Sequence, residues 1–183
     1  MFMPPRPKIT KEEILDCALT FVAKNGLGKL NARAIAKELN SSTQPIFSYF
    51  LNMDDLKTAI RKKISSSFME KVSSKKRMID FEKELLKFAS QYSHYFDELF
   101  LGIEETEETK NELNHMRDSL VPSISKEFLI SKEKANIVYL NNWIYSFGLG
   151  ALIAKGMLSL KESSLETLLK INLEVTIAAV KKQ

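Results

Sequence analysis

From Thr10 to Asn25 the apolar residues Ile14, Ala18 and Phe21 recur in steps of three and four, and from Asn31 to Leu39 so do Ile35, Ala36 and Leu39. That period gathers each set on one face of a helix, so both segments are predicted to be helices packed inward. A further amphipathic stretch runs from Phe81 to Tyr95, and a short helix is expected to end before Pro122. Residues Ile137 to Leu158 are apolar nearly all round, as in a buried helix. The last helix, from Ser163, carries Leu165, Leu168, Leu169, Leu173, Ile177 and Val180 on one side and the polar stripe Glu166, Lys170, Glu174 on another. Alternating β-branched runs are missing, and the prolines at 4, 5, 7, 45 and 122 fall outside the interiors of the predicted long helices. The expected fold is all-α, with about nine helices.

The residues between the first segments supply the punctuation. Thr10-Lys11-Glu12-Glu13 is a capping box, and the Asn31 side chain can cap the helix that follows it. Asn40 stands just past a helix end, where the backbone turns left-handed and asparagine is the best substitute for glycine. Ser42 offers a second capping oxygen, and Pro45 fits the first turn of a helix starting at Thr43. Small Ala36 and branched Ile46 are expected to mark where the two helices cross. This is the pattern of a helix-turn-helix. With Ile46, Phe47 and Phe50 partly committed to packing, Thr43, Gln44, Pro45, Ser48 and Tyr49 are left outward. Glutamine can bond adenine bidentately, threonine and proline can lie on a thymine methyl, and hydroxyls can bind phosphate or bases.

On these residues the stretch 10–56 resembles the DNA-binding domain of the TetR/AcrR family of bacterial transcriptional regulators. The order Thr10 to Asn25, Ala32 to Leu39, Ser42 to Phe50 and the tail Asn52-Met53-Asp54-Asp55-Leu56 carries the likeness. Two positions depart from it: Phe47 stands where the family usually has a phosphate-binding tyrosine, and Met53 where it has a lysine. Lys57 or Arg33 can compensate electrostatically. The resemblance implies a helix-turn-helix domain over 1–56, followed by a helical regulatory and dimerisation domain over 57–183. It implies DNA contact through Asn31, Arg33, Ser42, Thr43, Gln44, Pro45, Phe47, Ser48, Tyr49 and Lys57. It also implies a homodimer that binds a palindromic operator, acts as a repressor and is released by a small-molecule effector. A helical dimer that binds a small molecule or a protein but no longer binds DNA is the alternative.

Charge fits this division. Residues 1–77 carry 15 Lys and Arg against 7 Asp and Glu, and residues 78–183 carry 12 against 16, in a chain of net charge +4. A basic end suits phosphate, and Arg6 and Lys8 of the leader can form an arm on the DNA. The leader is too short and proline-rich for a signal peptide, so a cytoplasmic location is expected.

The resemblance implies that the middle of the chain, roughly residues 78–130, encloses the effector pocket, with Tyr92, Phe96, His115, Tyr139, Asn142, Trp143 and Phe147 as lining candidates. The glutamates at 104, 105, 107, 108 and 112 read as a solvated face, with a cationic ligand as the less favoured role. His94 and His115 stand apart from any metal-ligand spacing, so neither metal nor cofactor is expected. Ser146, Gly150 and Ala154 form a strip of small residues that permits close helix packing. With Leu165, Leu169, Leu173 and Ile177 they are the expected dimer interface, chiefly 137–156 and 164–181, which the resemblance pairs into a four-helix bundle. Asn141, Asn142 and Lys155 argue against a membrane span there. Cys17, the single cysteine, is expected as a buried thiol. With no Gly-rich phosphate loop and no nucleophile in a recognisable turn, an enzyme is not expected.

Overall fold

The computed structural model describes residues 9–101 and 107–182, whose regular structure is helical throughout, with nine α-helices. Arg6, Lys8, Glu104 and Glu105 lie outside the described residues, as do the side chains of Glu107, Glu108 and Glu112. The chain divides into two compact units, Met1–Ile64 and Ser65–Gln183.

In the first unit α1 (Lys11–Asn25) opens on a formed capping box: Glu13 N donates to Thr10 Oγ1 at 3.1 Å and Thr10 N donates to Glu13 Oε2 at 2.8 Å. It ends at Gly26, whose φ of 79° suits a residue without Cβ. Helix α2 (Ala32–Glu38) is capped by Asn31, whose Oδ1 accepts from Ala34 N at 3.0 Å. The chain then reverses through Asn40 at φ 49°, and Ser41 N donates back to Ala36 O at 2.9 Å. Helix α3 spans Gln44–Tyr49, one residue later than its predicted start. Thr43 already has helical backbone angles but makes no side-chain cap, and Ser42 Oγ accepts from Gln44 N at 3.4 Å. Ile14, Ala18, Val22, Ile35, Ala36, Ile46 and Phe50 are buried in this unit. Cys17 is half-buried, because it sits beside the apolar line of α1 and not on it.

Helix α4 (Met53–Val72) begins in the first unit and ends in the second. Asn52 Oδ1 accepts from Asp54 N and Asp55 N at 3.0 and 2.9 Å, and Asp55 Oδ2 accepts from Leu51 N at 3.0 Å.

The predicted helix 81–95 is two elements. Helix α5 (Met78–Gln91) stops at Tyr92, whose φ of −133° and ψ of 54° leave the helical region, and α6 (Ser93–Phe96) runs on into a π-helical turn, Asp97–Leu101. Helix α7 (Glu107–Phe128) passes through Pro122 and does not end before it. Pro122 is exposed, so the carbonyl one turn back that loses its donor can turn to water. Helices α8 (Lys132–Ala154) and α9 (Glu162–Lys182) complete the unit. The predicted box at Ser163 does not form. Lys161 O receives the first amides of α9, and Glu166 pairs with Lys170 at 2.9 Å and with Lys83 of α5 at 3.1 Å.

Helix α8 is long and apolar enough to cross a membrane by length and composition alone, yet here it packs on α5, α7 and α9. Its inner face is the small-residue strip: Ser146 and Gly150 are buried, and a Cβ on Gly150 would lie 2.9 Å from Phe96 Cζ and 3.6 Å from Ala89 Cβ. For Ser146 and Gly150 the expectation of a dimer strip is thereby corrected, whereas Ala154 is half-buried. Short side chains at 146 and 150 let α8 approach α5 and α6 of its own chain, and Leu169 and Ile177 of α9 are likewise buried within it. The outward apolar residues are Ile137, Leu140, Ile144 and Leu152 on α8, with Ile171 and Val175 on α9. A polar seam joins the two helices. Asn172 Nδ2 donates to Asn142 Oδ1 at 2.9 Å, and Thr176 Oγ1 lies 2.9 Å from Asn141 Oδ1.

Candidate nucleic-acid interface and regulatory cavity

Helix α3 turns about 100° per residue, which separates its faces cleanly. Ile46 and Phe50 go into the core, whereas Gln44, Phe47 and Ser48 share the outer face, flanked by the half-buried Thr43, Pro45 and Tyr49. Phe47 was expected to be partly packed. It is 48% exposed and so about half covered, since it lies about 100° around the helix from the buried Ile46. Ser48 Oγ donates to Pro45 O at 2.7 Å, so its proton is spent on its own helix. No acidic or basic residue lies in α3.

The other candidates around α3 differ in how free they are. Asn31 is committed at both ends of its amide, since Oδ1 caps α2 and Nδ2 donates to Lys29 O at 3.2 Å. Arg33 is exposed, whereas the Lys57 ammonium pairs with Asp54 Oδ1 at 3.1 Å. Sequence reasoning missed Leu51, which follows α3 and is 87% exposed, since a single apolar residue between Phe50 and Asn52 carries no period. Residues 1–64 hold eleven Lys and Arg against six Asp and Glu, which makes the unit attractive to polyanions.

In the second unit most of the aromatic residues form a connected cluster. Trp143 stacks on Phe81 at 5.6 Å and on Tyr139 at 6.4 Å between ring centres, and Phe96 meets Phe100 at 4.9 Å. Next to Phe81 is a cavity of about 100 Å³ walled by Met69, Val72, His115, Met116, Ser119 and Leu120, among others. Of the seven predicted pocket residues, His115 alone lines it. Phe96, Tyr139, Trp143 and Phe147 belong to the cluster. Asn142 is occupied on both polar atoms, its Nδ2 donating to Val138 O at 2.9 Å. Tyr92 is exposed and stacks on Tyr95, with the Lys71 ammonium 5.1 Å from its ring centre.

Burial pushes the Tyr139 phenol up to about 12. Glu82 on α5 was not foreseen at all: it is fully buried, neither carboxylate oxygen has a hydrogen-bond partner among the described residues, and burial raises its pKa to about 8. Among the described residues no cluster of His, Cys, Asp and Glu could hold a metal ion.

No family model matches the chain, and no curated protein does. Solved structures do. A tetR-family transcriptional regulator from Streptomyces coelicolor superposes with a TM-score of 0.72 at 14% identity, over 92% of this chain and 80% of that one. A putative transcriptional regulator of the TetR family from Vibrio parahaemolyticus gives 0.59 at 15% identity, over 90% and 96%. A single-residue variant of TetR from Acinetobacter baumannii, solved in complex with minocycline, gives 0.55 at 16% identity, over 96% and 98%. The chain has the fold of the TetR-family transcriptional regulators.

Proposed function

We propose that this protein is a DNA-binding transcriptional regulator that works as a homodimer and responds to a small molecule. The observation that carries the reading is the outer face of α3: Gln44, Phe47 and Ser48 point to solvent from a helix that follows a left-handed turn at Asn40, in a unit with excess positive charge. Thr43, Pro45 and Tyr49 border that face, with Arg33 and Lys57 as phosphate contacts and Asn31 and Ser42 holding helix starts. One such helix touches few bases, so two copies reading a palindrome are needed for specificity.

The second copy binds the outward apolar residues of α8 and α9, Ile137, Leu140, Ile144, Ile171 and Val175. Exposed residues of this size on two adjoining helices favour a helix-on-helix interface. The effector enters at the cavity beside Phe81 and His115. At about 100 Å³ the cavity is smaller than a drug-sized site, and the flexible Met69 and Met116 side chains are the parts of its wall that can yield. Repression and release by the effector follow as the functional reading, because a ligand that shifts the dimer shifts its fit to the operator.

The Lys57–Asp54 ion pair favours a second reading, in which the same dimer no longer binds DNA. A mobility-shift titration of the whole protein against the DNA flanking its own gene, at two salt concentrations and with competitor, separates the two. A regulator gives competitor-resistant complexes that weaken steeply with salt as counterions are released. A complete lack of retained complex favours the DNA-free dimer.

A further inference from the structure

Resting on the proposed DNA reading, we infer that the recognition helix selects A·T base pairs, with the Phe47 ring seated on a thymine methyl and the Gln44 amide on an adenine. The outer face of α3 offers few chemical groups. Guanine is read by a cationic fork on O6 and N7, and cytosine by a carboxylate on N4, and α3 contains neither a basic nor an acidic residue. The Ser48 proton is held by Pro45 O, which leaves the hydroxyl as an acceptor only. What remains at the centre of the face beside that acceptor is one carboxamide and one exposed phenyl ring.

A carboxamide matches the N6–H donor and N7 acceptor of adenine. The only base feature in the major groove that an apolar ring can desolvate with gain is the thymine methyl. Phe47 is 48% exposed on a polar helix face, a cost in water that burying that methyl offsets.

The test starts with selection of duplexes from a randomised library by the full-length protein. The selected core is expected to hold adenine and thymine where the two reading helices land. Replacing thymine by deoxyuridine at single positions removes only the methyl, and at the Phe47 step it should weaken binding about fourfold, the worth of one buried methyl-sized group. Phe47→Ala should bind the thymine and uracil duplexes equally, while Phe47→Tyr should keep the difference. Both variants should melt as the parent does, since the ring lies outside the core. Selected duplexes with a G·C core, an unaltered affinity for every uracil duplex, or a Phe47→Ala protein that still prefers thymine would each overturn the inference. A library that yields no enriched duplex defeats the DNA reading itself, and is thereby told apart from a failure of the thymine assignment.

Discussion

Gly150 sits directly against Phe96: a Cβ there would fall 2.9 Å from Cζ and 3.0 Å from Cε2 of a ring that is itself fully buried. The absent side chain is what lets α8 lie down on α6. Two glycines less than a turn apart on the same helix thus do opposite things, since Gly148 has nothing within 4 Å of its virtual Cβ.

Gly150→Ala is therefore expected to destabilise the protein by roughly 1–3 kcal/mol, the usual cost of forcing a group into a filled core, lessened by alanine's better helix propensity. Gly148→Ala gains the propensity without the clash and should stabilise by about 0.5–1 kcal/mol. Urea unfolding of the two variants beside the parent measures both, and equal shifts would show that Phe96 yields.

Glu82 gives stability a pH dependence of unusual sign. Its carboxyl is raised by burial from the ordinary value of 4.5 to about 8, so in the window between those values the folded chain holds a proton that the unfolded chain has released. Stability is fully present below the unfolded pKa and falls as pH rises through the window, by up to about 1.4 kcal/mol per unit. Glu82→Gln removes that slope. Thermal melts from pH 5 to 9 should show parent and variant alike at the acid end and the variant more stable at the alkaline end. A parent that gains on the variant as pH rises would mean that the carboxylate has a cationic partner.

Ile144 is 68% exposed and Val175 63% exposed on the outer faces of α8 and α9. Ile144→Glu and Val175→Glu are expected to convert the proposed dimer to a monomer without unfolding it, because neither side chain contributes to the subunit core. Sedimentation velocity at several concentrations reads the change. Dimers that persist in both variants would move the interface elsewhere.

The bonding of Ser48 separates two neighbours on the proposed reading face. Gln44→Ala should lose roughly 1–3 kcal/mol of operator affinity, the worth of a bidentate base contact, whereas Ser48→Ala should change it little because its proton already serves Pro45 O. Fluorescence anisotropy on a selected duplex compares them directly, and a larger loss for Ser48 would reverse the assignment.

Helix ends were the most legible features of the sequence, because they are decided by residues three or four positions apart. Thr10 with Glu13, Asn31 at α2 and Asn40 after it all hold the predicted geometry. Ser163 and Glu166 have the same spacing and failed, since Lys83, distant in sequence, takes the glutamate instead. Pro122 failed for a related reason: packing carries α7 past a residue that local propensity would place at an end. The small strip on α8 announced a close contact correctly but could not say with whom, because Phe96 and a second copy ask the same thing of Gly150. Glu82 has no sequence signal, as a lone glutamate reads as surface until its neighbours are known.

The seam of Asn141, Asn142, Asn172 and Thr176 works as a register lock. Leucines packed on leucines tolerate sliding, whereas a slip of α9 along α8 by one turn, about 5.4 Å, would leave the buried Asn142 carbonyl without its Asn172 donor. An orphaned buried polar group costs roughly 1–3 kcal/mol, enough to suppress the slipped form by an order of magnitude or more. Every copy of the chain accordingly shows its outer apolar rows at one fixed offset, so in the proposed dimer two copies would meet as identical templates.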